Sequence, residues 1–175
     1  MALAANPTRT EHLVIAERSG LLYWSDDAGT TWRVAAQPGA RTRWDECTGR
    51  PQIEGIVVAP ANPNHLVAAV EGSSCLLSDD GGRTWRGINI LPEGHHSSGL
   101  LRYMDFTGNG AFPDPPPTCP IVLLPGDPAS ILMAAQVSRG NPLLLRSDDD
   151  GRSWAQIAEL PAGVHSLCWV GGADP

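Results

Sequence analysis

The sequence predicts an all-β fold assembled from repeated four-stranded antiparallel sheets. Three observations carry that expectation. An octapeptide pattern, S-x-D-x-G-x-[ST]-W, recurs as SDDAGTTW at 25–32, SDDGGRTW at 78–85 and SDDDGRSW at 147–154. Each copy follows a short apolar run of strand length: HLVIA at 12–16, HLVAA at 65–69 and ILMAA at 131–135. The 175 residues include 19 glycines and 16 prolines but only 18% charged residues, a mixture suited to many short strands joined by tight turns.

The elements of one unit follow in order. A second short apolar run, directly before each box, ends at its serine. The aspartate two residues on can accept bonds from turn N–H groups, and the glycine supplies a positive φ at little steric cost. The Thr or Ser then starts a returning strand, and the tryptophan drops a large ring into the layer between sheets. Each box thus reads as a hairpin with its tip at Asp27–Gly29, Asp80–Gly82 or Asp149–Gly151. The offset between His12 and His65 equals that between Ser25 and Ser78, so no insertion separates the first two units. The third spacing is longer, which places a small insertion near Val137–Pro142. One strand earlier, IVVAPANP at 56–63 parallels IVLLPGDP at 121–128, each a strand closed by a P-x-[ND]-P turn. The unit is therefore strand A, turn, strand B, loop, strand C, box hairpin, strand D.

ANP at 5–7 and GADP at 172–175 match the A–B turn, so the chain reads as B-C-D, two full units and a lone A strand. Radially repeated four-stranded units are the pattern of a β-propeller. The single domain at 1–175 divides into units at about 5–55, 56–120 and 121–164, with the strand at 165–171 completing the first. Three blades are fewer than the four to eight typical of a closed ring. Either two chains join in a six-bladed homodimer, or the chain is a fragment of a larger propeller.

The formal charge of -7 argues against a nucleic-acid partner. No apolar segment reaches membrane-spanning length. The N-terminus lacks a basic start followed by an apolar core, so the sequence as it stands predicts a cytoplasmic protein, and an exported one if a leader precedes it. Cys47, Cys75, Cys119 and Cys168 are widely spaced without a CxxC pair, which reads as buried thiols rather than a zinc site. Export would allow a Cys47–Cys119 disulfide. No cofactor or metal is expected.

The three boxes resemble the Asp boxes, or BNR repeats, of sialidases, sortilin-type receptors, xyloglucan-degrading enzymes and Ycf48-type assembly factors. That resemblance implies a propeller in which the box is structural and lies away from the ligand face. It implies this role for Ser25, Asp27, Gly29, Thr31 and Trp32, for Ser78, Asp80, Gly82, Thr84 and Trp85, and for Ser147, Asp149, Gly151, Ser153 and Trp154. The sialidase catalytic set is not complete here. An Arg-Ile-Pro-like motif near the start is absent, and the only tyrosines are Tyr23, within a strand C, and Tyr103. The xyloglucan enzymes place paired acids in a cleft between two large domains, and one domain is read here.

The D-to-A and B–C connections should share the face opposite the boxes, where loops vary freely over a rigid scaffold. Two segments there stand out. PGARTRWDECTGRP holds Arg43, Trp44 and Asp45, a cation beside an aromatic that suits recognition. The long 91–118 segment holds Arg102, Tyr103 and Asp105. Both also read plainly as loops packed over the blades. Glu17, Asp45, Glu71 and Asp105 are the acids to inspect for a glycoside-hydrolase pair about 5–9 Å apart. His12, His65 and His165 repeat with the strands and read as satisfied structural groups.

The functional expectation is a non-catalytic binding or assembly module that self-associates and takes a protein or carbohydrate ligand on the 37–52 and 91–118 loops. The alternatives are a sialidase-related glycoside hydrolase with its acidic pair on that face, and a truncated propeller without independent activity.

Overall fold

The structure, a computed structural model, describes residues 2–17, 20–35, 53–59, 62–70, 74–94, 120–124, 130–137, 141–161, 164 and 166–168. Those residues form twelve strands in three antiparallel sheets whose order follows the chain. The first sheet holds β1 (Ala2–Asn6), β2 (Arg9–Ala16), β3 (Leu22–Ser25) and β4 (Arg33–Val34). The second holds β5 (Ile53–Val58), β6 (Leu66–Val70), β7 (Ser74–Ser78) and β8 (Arg86–Asn89). The third holds β9 (Ile121–Leu124), β10 (Ser130–Ala135), β11 (Leu143–Ser147) and β12 (Ala155–Glu159). The first strands of the sheets are neighbours, β1 beside β5 and β5 beside β9, so the sheets fan out from a common inner edge.

Register confirms the repeat and locates the longer spacing of its third unit. Leu13, Leu66 and Ile131 pair with the serines that open the three boxes, Ser25, Ser78 and Ser147. Further along, Ala16 pairs with Leu22 and Ala69 with Cys75, whereas Ala134 pairs with Leu144. The B–C connection of the third sheet is thus the longer one, as the spacing near Val137–Pro142 predicts.

The start of the chain departs from the sequence reading. Ala2–Asn6 forms a strand that pairs with β2 from Ala2↔Ala16 to Ala5↔Leu13. It occupies the position expected for the segment 165–171, in which Ser166–Cys168 belong to no strand and the other residues, His165 included, lie outside the described residues. ALAAN offers only small side chains and weak alternation, so nothing local marks it as a strand. Pairing with β2 supplies the stabilisation that composition lacks.

Two apolar layers hold the sheets together. The first joins sheets one and two through Val14, Ala16 and Leu22 on one side and Leu66, Val70 and Trp85 on the other. The second joins sheets two and three through Val67, Cys75 and Leu77 against Ile131, Met133 and Leu145. The middle sheet is covered on both faces, and every residue of β6 is buried. In β2 only alternate residues are buried, Val14 and Ala16 but not Leu13 and Ile15, because one face alone is covered. Cys75 is a buried thiol as expected, but Cys168 is exposed. Cys47 and Cys119 lie outside the described residues.

Candidate functional site

The box turns are built alike. The serine hydroxyl donates to the aspartate two residues on, at 2.8 Å for Ser25–Asp27 and 2.9 Å for Ser78–Asp80 and Ser147–Asp149. It accepts the glycine N–H, from Gly29 at 2.9 Å and from Gly82 and Gly151 at 2.8 Å. The same aspartates accept the hydroxyls of Thr31, Thr84 and Ser153, each at 2.6 Å, and the backbone N–H of the same residues. Two successive residues at each tip have positive φ: Ala28 and Gly29, Gly81 and Gly82, Asp150 and Gly151. The chain can reverse here because the second residue is always glycine. A Cβ on Gly82 would lie 2.7 Å from Val14 Cγ2, and one on Gly151 2.8 Å from Val67 Cγ2, so these glycines also let each turn sit against the preceding sheet.

A second polar arrangement crosses between sheets. His12, within β2, and His65, just before β6, are almost wholly buried, at 2% and 0% exposure. His12 Nδ1 meets Asp26 at 2.6 Å and its Nε2 meets the Gly81 carbonyl of the next sheet at 2.6 Å. His65 repeats this with Asp79 at 2.5 Å and the Asp150 carbonyl at 2.7 Å. Each ring thus bridges a carboxylate of its own sheet and a backbone carbonyl of the next. The third sheet has Ser130 at this position, bonded to Asp148 at 2.5 Å.

Guanidinium groups complete the junctions. Arg83 of the second sheet donates to Asp26 at 2.9 Å and lies 4.6 Å above the Trp24 ring, with Arg33 on the same ring at 5.0 Å. Arg152 of the third sheet approaches Asp79 at 3.5 Å. Asp148 takes its arginine from its own sheet instead, Arg146 Nε at 2.7 Å.

These bonds hold the carboxyls below their ordinary range. His12, with Arg83, does so for Asp26, and His65, with Arg86 and Arg152, for Asp79. Ser130 and Arg146 lower Asp148. Among the box aspartates, the hydroxyl and N–H of Thr31 bring Asp27 to about 2. Burial raises Asp80 and Asp149, but the hydrogen bonds of Thr84 and Ser153, with those of the box serines, outweigh it. All of this polar chemistry is spent inside the turns and junctions.

The opposite edge is where β3, β7 and β11 begin and where β4, β8 and β12 end. Glu17 is exposed there, in a turn closed by its N–H to the Leu21 carbonyl at 2.8 Å. Arg43, Trp44, Asp45, Glu71, Arg102, Tyr103 and Asp105 all lie outside the described residues. Sequence reasoning placed His12 and His65 as structural but missed the junction they build. The signal was present as a His before each of two boxes and an extra Asp after the box serine, with Ser130 breaking the pattern.

No protein-family model matches the chain, and no curated protein does. Solved structures do. An ancestral GH74 enzyme superposes with a TM-score of 0.55 at 15% identity, over 89% of this chain and 20% of that one. Ycf48 bound to D1 peptide gives 0.53 at 16%, over 89% and 39%. NanB with optactamide gives 0.51 at 16%, over 87% and 22%. The chain has a β-propeller fold. Its three sheets are blades, and the histidine junctions join blade to blade at the edge carrying the boxes. The chain spans well under half the length of each of these propellers.

Proposed function

We propose that this propeller is a non-catalytic binding or assembly module. In this reading the boxes are Asp boxes of the BNR type, and the ligand face comprises the 37–52 and 91–118 loops with Arg43, Trp44, Arg102 and Tyr103. The observation that carries it is the division of labour between the two edges. The described polar clusters are engaged in holding turns and blades at one edge. The ends of the two long connections, Val34 to Ile53 and Asn89 to Ile121, open at the other. Of the similar folds, Ycf48 is bound to a peptide, which makes a protein segment the first ligand to test. The chain also self-associates in this reading.

A glycoside-hydrolase reading is favoured by the GH74 and NanB likenesses and requires an acidic pair on the same face, with Glu71 and Asp105 as its candidates. A peptide array and an oligosaccharide panel, each probed for binding and turnover, separate the two. Binding without turnover, weakened at least tenfold by Trp44→Ala or Tyr103→Ala at an unchanged melting temperature, supports the module. Turnover of an oligosaccharide, abolished by Glu71→Gln or Asp105→Asn, overturns it.

A further inference from the structure

Equivalent residues in the three blades meet different surroundings, and the differences fall on two faces. The box tryptophan Trp85 is 4% exposed against the first blade, and Trp154 packs against the second. Trp32, on the first blade, is 38% exposed, and Leu3 and Val34 on the same blade are 62% and 61% exposed. On the third blade the contrast runs the other way. Ala158, opposite Leu144 as Ile88 is opposite Cys75, is only half-buried where Ala35 on the first blade is 3% exposed, and Ile157, which the register skips beside it, is 50% exposed. Leu132, the equivalent of buried Val14 and Val67, is only half-buried. The first blade thus presents a box face, and the third a receiving face, of the kinds that bury each other at both internal junctions.

The charges at these faces are matched. In the internal junctions an arginine of the incoming box, Arg83 or Arg152, approaches the aspartate of the blade before it. The first box has Thr30 at that position. The third blade has Arg146 where the others have Trp24 and Leu77, and that guanidinium already neutralises Asp148. An arginine at position 30 would meet Arg146 across a junction of these two faces, and threonine does not. The box that lacks the cation fits the blade that brings its own.

We propose that the first-blade face of one chain packs on the third-blade face of a second copy, and the reverse, closing a six-bladed ring of two chains. The contact is head-to-tail and occurs twice around a two-fold axis. The proposal rests on the self-association in the functional reading and specifies its surface; its readout is mass, so it fails independently of any ligand.

Sedimentation velocity on the full chain is expected to give twice the 18.6 kDa chain mass. Trp32→Glu and Leu132→Arg, each with unchanged circular dichroism, are expected to give monomers. Mixing the two should restore a dimer, because each variant keeps the face the other has lost. Thr30→Arg should weaken the dimer at least tenfold, and Thr30→Arg with Arg146→Leu should recover it by recreating the internal pairing. A monomeric parent chain, an assembly larger than two, variants that remain dimeric, or a mixture that stays monomeric would overturn the proposal.

Discussion

Asp27, Asp80 and Asp149 each bind a hydroxyl and an N–H four residues ahead, while Asp26 and Asp79 each bind a buried histidine. These carboxyls bind protons less tightly in the folded chain than in the unfolded one. Their contribution is therefore complete above the ordinary value of 3.8 and is lost as pH falls toward about 2, where Asp27 protonates. The melting temperature should hold between about pH 7 and 5 and drop steeply below about 4; a flat profile down to pH 2 would contradict this assignment. His65→Ala is expected to cost about 2–4 kcal/mol in urea unfolding, because it opens a cavity and strips a donor from the Asp150 carbonyl. Ser130→Ala should cost only about 1 kcal/mol, since Asp148 keeps Arg146.

The strands show where sequence is sufficient and where it is not. Alternation and the box serines placed β2, β3, β6 and β7 and their register, because each pairs with a neighbour only a short hairpin away. β1 escaped notice, since ALAAN gains its strand character from pairing rather than from its own residues. The candidate ligand residues cannot be judged from periodicity, because loops follow no repeat. The glycines offer a test of how closely blades approach. Gly82 and Gly94 both have positive φ, but a Cβ on Gly82 would strike Val14 whereas one on Gly94 would meet nothing within 4 Å. Gly94→Ala should cost about 1–2 kcal/mol from backbone strain alone. Gly82→Ala should cost measurably more in the same urea titration, and equal losses would refute the close approach.

For the molecule as a whole, stability is set by how many faces of a blade are covered, as in other arrays where each unit touches only its neighbours. The middle blade has both faces buried, and β6 is buried at every position. Native-state hydrogen exchange should therefore be slowest in β6 and β7 and fastest in β4 and β12, the outer strands of the end blades. Uniform protection across the three blades would show that they unfold as one unit instead.

The sequence alone determined the hairpin turns and the four-strand unit, because the serine and aspartate of a box close the bonds of its turn within six residues of that serine. Tertiary structure decided which copies of that unit are buried. Trp32 and Trp85 stand in equivalent motifs, yet among the described residues of the chain Trp85 is buried against a neighbouring blade and Trp32 is 38% exposed. Likewise the histidine junctions join groups 69 and 85 residues apart along the chain. No local pattern encodes such contacts, since they arise only when one blade comes to rest on the next.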